Sequence, residues 1–132
     1  MIEVKSILLV DDDDISNFVT KDAIAESGIT EDIFIAMNGE EGLELLKEKG
    51  QDQSLQPILV FLDINMPVMD GFEFLESYSG LPEEIQDSSY IVMLTSSTDD
   101  EDVRRAKLHT ISGYIPKPLT KEKLEEVISK LY

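Results

Sequence analysis

The sequence predicts an α/β protein in which five parallel strands alternate with five helices. Two patterns support this prediction: short unbroken apolar runs recur along the chain, and segments with helical spacing of apolar residues separate them. Unbroken apolar runs are typical of strands that are buried on both faces of a sheet. Strands that alternate with helices are joined by helical crossovers, which makes the strands parallel and places helices on both faces.

Two strands and two helices are predicted in the first part of the chain. Residues 7–10 form the first apolar run, and residues 15–27 form a helix that a glycine ends in the usual C-terminal position. Its apolar residues at helical spacing are Ile15, Phe18, Val19 and Ala23. A strand at 32–36 precedes a helix that opens with Asn38, where Glu41 completes a capping box.

A polar connector at 51–56 leads into a third strand at 57–62. A short helix is predicted at 71–78, with Asp70 as its cap, and the polar stretch at 83–89 is expected to be a solvated excursion. The remaining predicted elements are strands at 90–94 and 113–116, a helix that opens with a capping box at Thr98 and runs to about residue 109, and a last helix capped by Thr120.

The composition excludes several classes of function. Acidic residues outnumber basic ones 28 to 11, and the net charge of −17 disfavours nucleic acid and anionic membranes as partners. The absence of cysteine excludes disulfides and thiolate chemistry, and the single histidine, His109, excludes a two-histidine mechanism. No stretch has the pattern of a signal peptide or a membrane-spanning helix, so the cytoplasm is the expected compartment. A length of 132 residues without repeats or linkers predicts one domain, at 1–132.

Side chains that are capable of chemistry follow four of the five predicted strands. They are Asp11 and Asp12 after the first strand, Asp63 after the third, Thr95 after the fourth and Lys117 after the fifth. Ligands of an open parallel sheet bind in the crevice beyond the carboxyl ends of its strands, so we expect these residues to meet in one site. Adjacent carboxylates at the end of a buried strand repel each other unless a cation joins them, which favours a metal there.

Four segments at these strand ends, LLVDDDD, FLDINMPVMDG, MLTSS and YIPKPLT, resemble the signature segments of the receiver domain of bacterial two-component response regulators. They occur in the same order and span essentially the whole chain. The resemblance implies a stand-alone receiver domain with a doubly wound, flavodoxin-like sheet of strand order 2-1-3-4-5.

The resemblance also implies a role for each site residue. Asp63 is the phosphoacceptor, Lys117 neutralises charge on the incoming group, and Thr95 binds a phosphoryl oxygen. Thr95 and Tyr114 form the implied switch, and the Lys117–Pro118 bond is expected to be cis. The implied ligands of a Mg²⁺ ion are Asp11, Asp12, Asp63 and the backbone carbonyl of Asn65.

The implied partners are proteins. A histidine kinase or a histidine phosphotransfer protein supplies the phosphoryl group, and a downstream target protein, which the sequence does not identify, responds to it. His109 is not expected to be the donor, because it lies near the end of a predicted helix rather than at a strand end. Target binding, phosphoryl relay and a phosphate sink all remain open roles.

Two other interpretations of the acidic residues are weaker. A calcium loop that starts at Asp11 fails, because Ser16 stands where glycine is required and Asp22 where glutamate is required. The alternative function is a small Mg²⁺-dependent phosphohydrolase of the haloacid dehalogenase type. That class resembles this chain in its nucleophile but needs a second aspartate two positions later, where this chain has Asn65. We therefore expect self-phosphorylation and self-dephosphorylation rather than enzymatic turnover.

Overall fold

The computed structural model describes residues 4–97 and 99–131. Five parallel strands form one sheet in the order β2-β1-β3-β4-β5, which confirms the predicted doubly wound fold. The strands are β1 (Ser6–Val10), β2 (Ile33–Ala36), β3 (Ile58–Leu62), β4 (Ser89–Thr95) and β5 (Gly113–Pro116). The helices are α1 (Asp14–Ser27), α2 (Gly39–Lys49), α3 (Gly71–Tyr78), α4 (Glu83–Asp87), α5 (Asp100–Lys107) and α6 (Lys121–Lys130), with a short 3₁₀ turn at Gln53–Leu55.

Helices cover both faces of the sheet, and each face has its own core. The core on one face joins the sheet to α1 and α6, and the core on the other face joins it to the remaining four helices. β1 and β3 lie at the centre, and every residue of both strands is buried. Unbroken apolar runs therefore do mark the strands that have neighbours on both faces. Among the described residues, no helix is both long and apolar enough to span a membrane.

The register of the central strands sets the geometry of their carboxyl ends. Val10 of β1 pairs with Leu62 of β3, so the next residues, Asp11 and Asp63, emerge side by side. The backbone N–H of Asp63 donates to the Val10 carbonyl at 3.0 Å, which continues the ladder to the site itself.

Several predicted helix ends are confirmed. Asn38 caps α2, Thr120 caps α6, and Asp70 and Glu73 form a reciprocal capping box at the start of α3. Gly28 ends α1 in the left-handed conformation, with φ 70°, which glycine adopts without steric cost.

Gly71 allows the start of α3 to lie directly against the end of β3. A Cβ atom at this position would meet the carbonyl oxygen of Asp63 and would lie 2.9 Å from the Cα of Ile64. The Gly71 N–H donates to the Ile64 carbonyl at 2.8 Å. A glycine here therefore permits the start of α3 to pack against the backbone of Asp63 and Ile64.

Two expectations about the helices need correction. The stretch at 83–89 is not a solvated excursion, because Glu83–Asp87 forms α4 around the buried side chain of Ile85, and Ser89 already belongs to β4. The described residues therefore contain six α-helices rather than five. The helix predicted to run from Thr98 to about residue 109 is shorter, at Asp100–Lys107, and its cap is Asp99. Thr98 lies outside the described residues.

α1 buries a different face from the one that its apolar residues suggest. Ala23 is buried, but Ile15 and Phe18 are 76% and 73% exposed, and the buried positions nearer the site are the polar residues Asn17 and Thr20. Apolar residues are present on both the exposed and the buried side of the helix. The buried side also carries Ala23 and Ile24, which belong to the same core as residues of α6, and its Asn17 has a hydrogen-bonding partner at the end of β1.

Candidate functional site

The structure brings the predicted strand-end residues together at one edge of the sheet. Carboxylate oxygens of Asp11, Asp12 and Asp63 all lie within 4.8 Å of one another. Asp11 and Asp63 are buried, whereas Asp12 is exposed. Three carboxylates at this spacing repel one another strongly unless positive charge lies among them.

Lys117 supplies positive charge to this cluster. Its Nζ lies 2.7 Å from Oδ2 of Asp11 and 3.3 Å from Oδ2 of Asp63, and the lysine side chain is only 17% exposed. Burial alone would lower the pKa of Lys117, but the contacts with Asp11 and Asp63 outweigh it, so that its pKa is raised. Lys117 is therefore a charged, fixed cation between two carboxylates.

Asp63 has a raised pKa because burial removes water from its carboxylate, and the neighbouring charge of Asp11 adds to this effect. Three groups oppose the increase: the Lys117 ammonium, the backbone N–H of Ile64 and the Thr95 hydroxyl. The Ile64 N–H donates to Oδ1 of Asp63 at 2.8 Å. Both carboxylate oxygens of Asp63 thus have a partner, Ile64 for Oδ1 and Lys117 for Oδ2.

Asp11 is held more tightly than Asp12. The Asp13 N–H donates to Oδ1 of Asp11 at 3.0 Å, while Oδ2 of Asp11 contacts Lys117. The side-chain amide of Asn17 donates to the Asp11 carbonyl at 3.0 Å. Both oxygens of the Asp11 side chain are therefore engaged, and the exposed carboxylate of Asp12 is more accessible to a cation.

The donor set suits a hard divalent cation. All three side chains offer carboxylate oxygens, which Mg²⁺ prefers, and the exposure of Asp12 leaves room for the water ligands that Mg²⁺ retains. Asn65 is exposed and lies two residues after Asp63. The assignment of its backbone carbonyl as a ligand remains a prediction.

A second network follows β4. Thr95 is fully buried, and its Oγ1 accepts a hydrogen bond from the Ser97 N–H at 3.2 Å. The Tyr114 hydroxyl donates to the Ser97 carbonyl at 3.0 Å, and the Ser97 hydroxyl donates to Oδ2 of Asp102 at 2.7 Å. These contacts connect the end of β4 with both β5 and α5.

Several contributing residues were not predicted from the sequence. Asn17, Ser97 and Asp102 act through hydrogen bonds to backbone or to other side chains, and such contacts require the directions of side chains. Asn17 could have been predicted only if its burial had been recognised, because a buried amide in the interior of a helix requires a hydrogen-bonding partner. The Lys117–Pro118 bond is cis, as expected. His109 follows α5 and lines a separate cleft with Leu75 and Tyr78.

Comparison with known proteins agrees with this geometry. Residues 7–129 match the family described as the response regulator receiver domain. The chain belongs to this family. The receiver domain is 32% identical over 125 residues to the chemotaxis protein CheY of Halobacterium salinarum, and this match covers 95% of our chain and 94% of CheY.

Two further matches show the same relationship. The probable methanogenesis regulatory protein FilR2 of Methanothrix harundinacea is 32% identical over 126 residues, which are 95% of the receiver domain and 79% of FilR2. The crystal structure of a two-component response regulator from Cytophaga hutchinsonii superimposes with a TM-score of 0.87 at 28% identity, and covers 98% of both chains. None of these matches favours the phosphohydrolase alternative.

Proposed function

We propose that the receiver domain accepts a phosphoryl group on Asp63 from a phosphohistidine donor, in a reaction that depends on Mg²⁺. The observation that carries this proposal is the setting of the Asp63 carboxylate. It lies at the buried end of a central strand, 3.3 Å from the Lys117 ammonium and beside the carboxylates of Asp11 and Asp12. This arrangement combines a nucleophile, a fixed cation and a set of metal ligands.

In the transfer step, an Asp63 carboxylate oxygen attacks phosphorus, so that an O–P bond forms and the P–N bond of the donor breaks. The imidazole nitrogen leaves with the bonding electron pair and takes up a proton. The main difficulty is repulsion between an anionic nucleophile and an anionic phosphoryl group. Lys117 offsets this repulsion from one side, and a bound Mg²⁺ ion would supply further positive charge at the phosphoryl oxygens.

Thr95 is suited to hold the transferred group. It ends the strand next to β3, and its hydroxyl is among the groups that lower the pKa of the Asp63 carboxyl. After transfer the same hydroxyl donates a hydrogen bond to a phosphoryl oxygen instead. The chemistry ends with an aspartyl phosphate and its slow hydrolysis, which is self-modification rather than turnover of a substrate.

The donor is proposed to be a protein, either a histidine kinase or a histidine phosphotransfer protein. The single histidine of this sequence, His109, lies outside the site, so the donor histidine lies outside these 132 residues. Beside the site, α1 exposes Ile15 and Phe18, and a cleft lined in part by Ile15 and Val19 reaches to Lys117 and Pro118. Exposed apolar side chains around a polar centre are typical of a protein contact.

Signalling is proposed to proceed from Thr95 through the loop that carries Ser97 to the face formed by α5, β5 and α6. The hydrogen bond between Tyr114 and Ser97 exists before phosphorylation. Phosphorylation therefore shifts the population of an existing arrangement, which alters the face offered to a downstream target protein.

The proposal is tested by incubating the protein with Mg²⁺ and phosphoramidate and recording intact mass. We expect one added phosphoryl group on the wild type and none on Asp63→Asn, which keeps the shape of the side chain but lacks the nucleophilic oxygen. Asp87→Asn is the matched control, because it removes the same charge from an exposed position remote from the site. Chelation of Mg²⁺, or the variant Asp12→Ala, should slow the reaction by orders of magnitude. Equal labelling of wild type and Asp63→Asn contradicts the proposal.

A further inference from the structure

Lys123 on α6 spans the segment that carries Lys117. Its Nζ donates hydrogen bonds to the carbonyl of Pro116 at 3.1 Å and to the carbonyl of Pro118 at 3.0 Å. These two carbonyls lie directly before and directly after Lys117 in the chain. One ammonium group therefore holds the backbone on both sides of the site lysine.

The position of Lys123 in its helix is unusual for a cation. It is the third residue after the cap Thr120, whose hydroxyl accepts from the Lys123 N–H at 3.2 Å. A glutamate at this position would complete a capping box, and negative charge is favoured in the first turn of a helix. A lysine at this position makes neither of these stabilising interactions, and its side chain instead reaches back to residues 116–118.

The segment has few other means of attachment. Pro116 and Pro118 lack a backbone N–H, so Lys117 supplies the only backbone donor of the three residues. That donor binds the Thr95 carbonyl at 2.9 Å. If Lys123 did not donate its two hydrogen bonds, the bond from the Lys117 N–H to Thr95 would be the one left among the backbone hydrogen bonds described for residues 116–118. That bond alone would then fix the direction in which Lys117 leaves the strand.

We infer that Lys123 is a positioning residue for phosphoryl transfer, an inference that rests on the function proposed above. None of the contacts described for Lys123 involves the three carboxylates of the site. It holds the backbone at 116–118 so that the Lys117 ammonium stays on Asp11 and Asp63, where the incoming phosphoryl group arrives. Its hydrogen bonds are charge-assisted, and these are stronger than bonds between neutral groups.

The kinetic test compares Lys123→Met, Lys123→Arg and the matched control Lys130→Met. Lys130 lies on the same helix and pairs only with Glu126, at 3.2 Å, among the contacts described for it. Phosphorylation rates are measured against phosphoramidate concentration at saturating Mg²⁺. We expect Lys123→Met to lower the maximal rate roughly tenfold with little change in the half-saturating concentration, because the lost hydrogen bonds affect the step that needs Lys117 in place.

Lys123→Arg should restore most of the rate, because a guanidinium also donates to two carbonyls, whereas Lys130→Met should match the wild type. Unchanged kinetics of Lys123→Met overturn the inference. So does an equal loss in Lys130→Met, which would show that any loss of positive charge from α6 has this effect.

A second measurement does not depend on phosphorylation. We expect the backbone amide of Lys117 to exchange its hydrogen faster in Lys123→Met than in the wild type or Lys130→Met, by roughly tenfold, because its bond to Thr95 opens more often. Unchanged exchange overturns the inference even if Asp63 is phosphorylated. If the Lys117 amide exchanges faster in Lys123→Met but the wild type accepts no phosphoryl group, the positioning of Lys117 is supported and the proposed function alone is overturned.

Discussion

Asp63 is a buried acid in an unfavourable setting. Its pKa is raised because burial and the nearby Asp11 carboxylate penalise the ionised form, while Lys117 compensates only in part. The chain therefore maintains a charged nucleophile at some cost to its own stability. Sites of chemistry commonly show this exchange of stability for function.

This setting predicts that Asp63→Asn makes the metal-free protein more stable at pH 7, by about 1 kcal/mol, the ordinary size of a single-residue effect. In the wild type, the penalty exists above the raised pKa of Asp63, where the native carboxyl is ionised. As the pH falls through that pKa, the native state takes up the proton before the unfolded state does, and the penalty disappears. The stability difference between variant and wild type should therefore shrink in acid.

Urea unfolding at several pH values, with a chelator present, measures this difference. Asp87→Asn serves again as the control for simple loss of charge. A gap that is equally large at pH 7 and in acid, or a destabilised Asp63→Asn at pH 7, would show that burial does not penalise the carboxylate as described.

At the scale of elements, α5 is the most weakly anchored helix of the proposed signalling face. Of the apolar residues in and directly after this helix, Val103, Ala106 and Leu108, the structure buries Ala106 alone, while Leu108 is 85% exposed. Two polar side chains of α5 make further contacts: Asp102 accepts from the Ser97 hydroxyl, and the Arg105 guanidinium stacks 3.9 Å from the centre of the Phe72 ring. A helix held by so little apolar surface can shift at modest cost.

Thr95→Ala should separate phosphorylation from the response of this face. The variant keeps Asp63, Lys117 and the acidic cluster, so phosphoramidate should still label it, but its side chain can no longer bond a phosphoryl oxygen. NMR shifts at 99–131 should therefore change on phosphorylation of the wild type and several-fold less in the variant, as expected for a coupling of about 1–3 kcal/mol. Identical shift changes in the two proteins would exclude Thr95 as the coupling residue.

The elements also show what the sequence could and could not predict. Strands were predictable because β3 and all of β1 except Ser6 are apolar, and the site residues were predictable because they lie at the carboxyl ends of the predicted strands. α4 was missed because five residues around one buried side chain, Ile85, do not establish a helical period. The buried side of α1 was not evident because apolar residues lie on both sides of this helix, and the hydrogen bond of Asn17 to the Asp11 carbonyl could not be seen from the sequence.

For the whole molecule, the dominant property is a net charge of −17 on 132 residues. Such an excess of one sign repels itself in the compact state, and dissolved salt weakens the repulsion. The buried ion pairs of Lys117 are shielded from solvent and respond less. The effect of salt on the free energy of unfolding is therefore governed by the exposed carboxylates.

We predict that raising NaCl from about 0.05 M to about 0.5 M increases the free energy of unfolding by about 1 kcal/mol. Thermal unfolding in the presence of a chelator measures this effect without specific Mg²⁺ binding. The same series on Asp63→Asn should give the same increment, because the effect comes from the surface as a whole. A protein that loses stability as salt is added would contradict this account.

The two outermost strands, β2 and β5, have only four residues each, and β5 ends in Pro116, which has no N–H to donate to another strand. Open sheet edges are the places where separate chains can pair and begin to aggregate. Short edges, one of them ended by proline, offer little backbone for such pairing, and the strong negative charge keeps copies apart. Both sides of the sheet are therefore poor templates for strand pairing with another copy, whereas the residues at the carboxyl ends of the strands stay available to a partner.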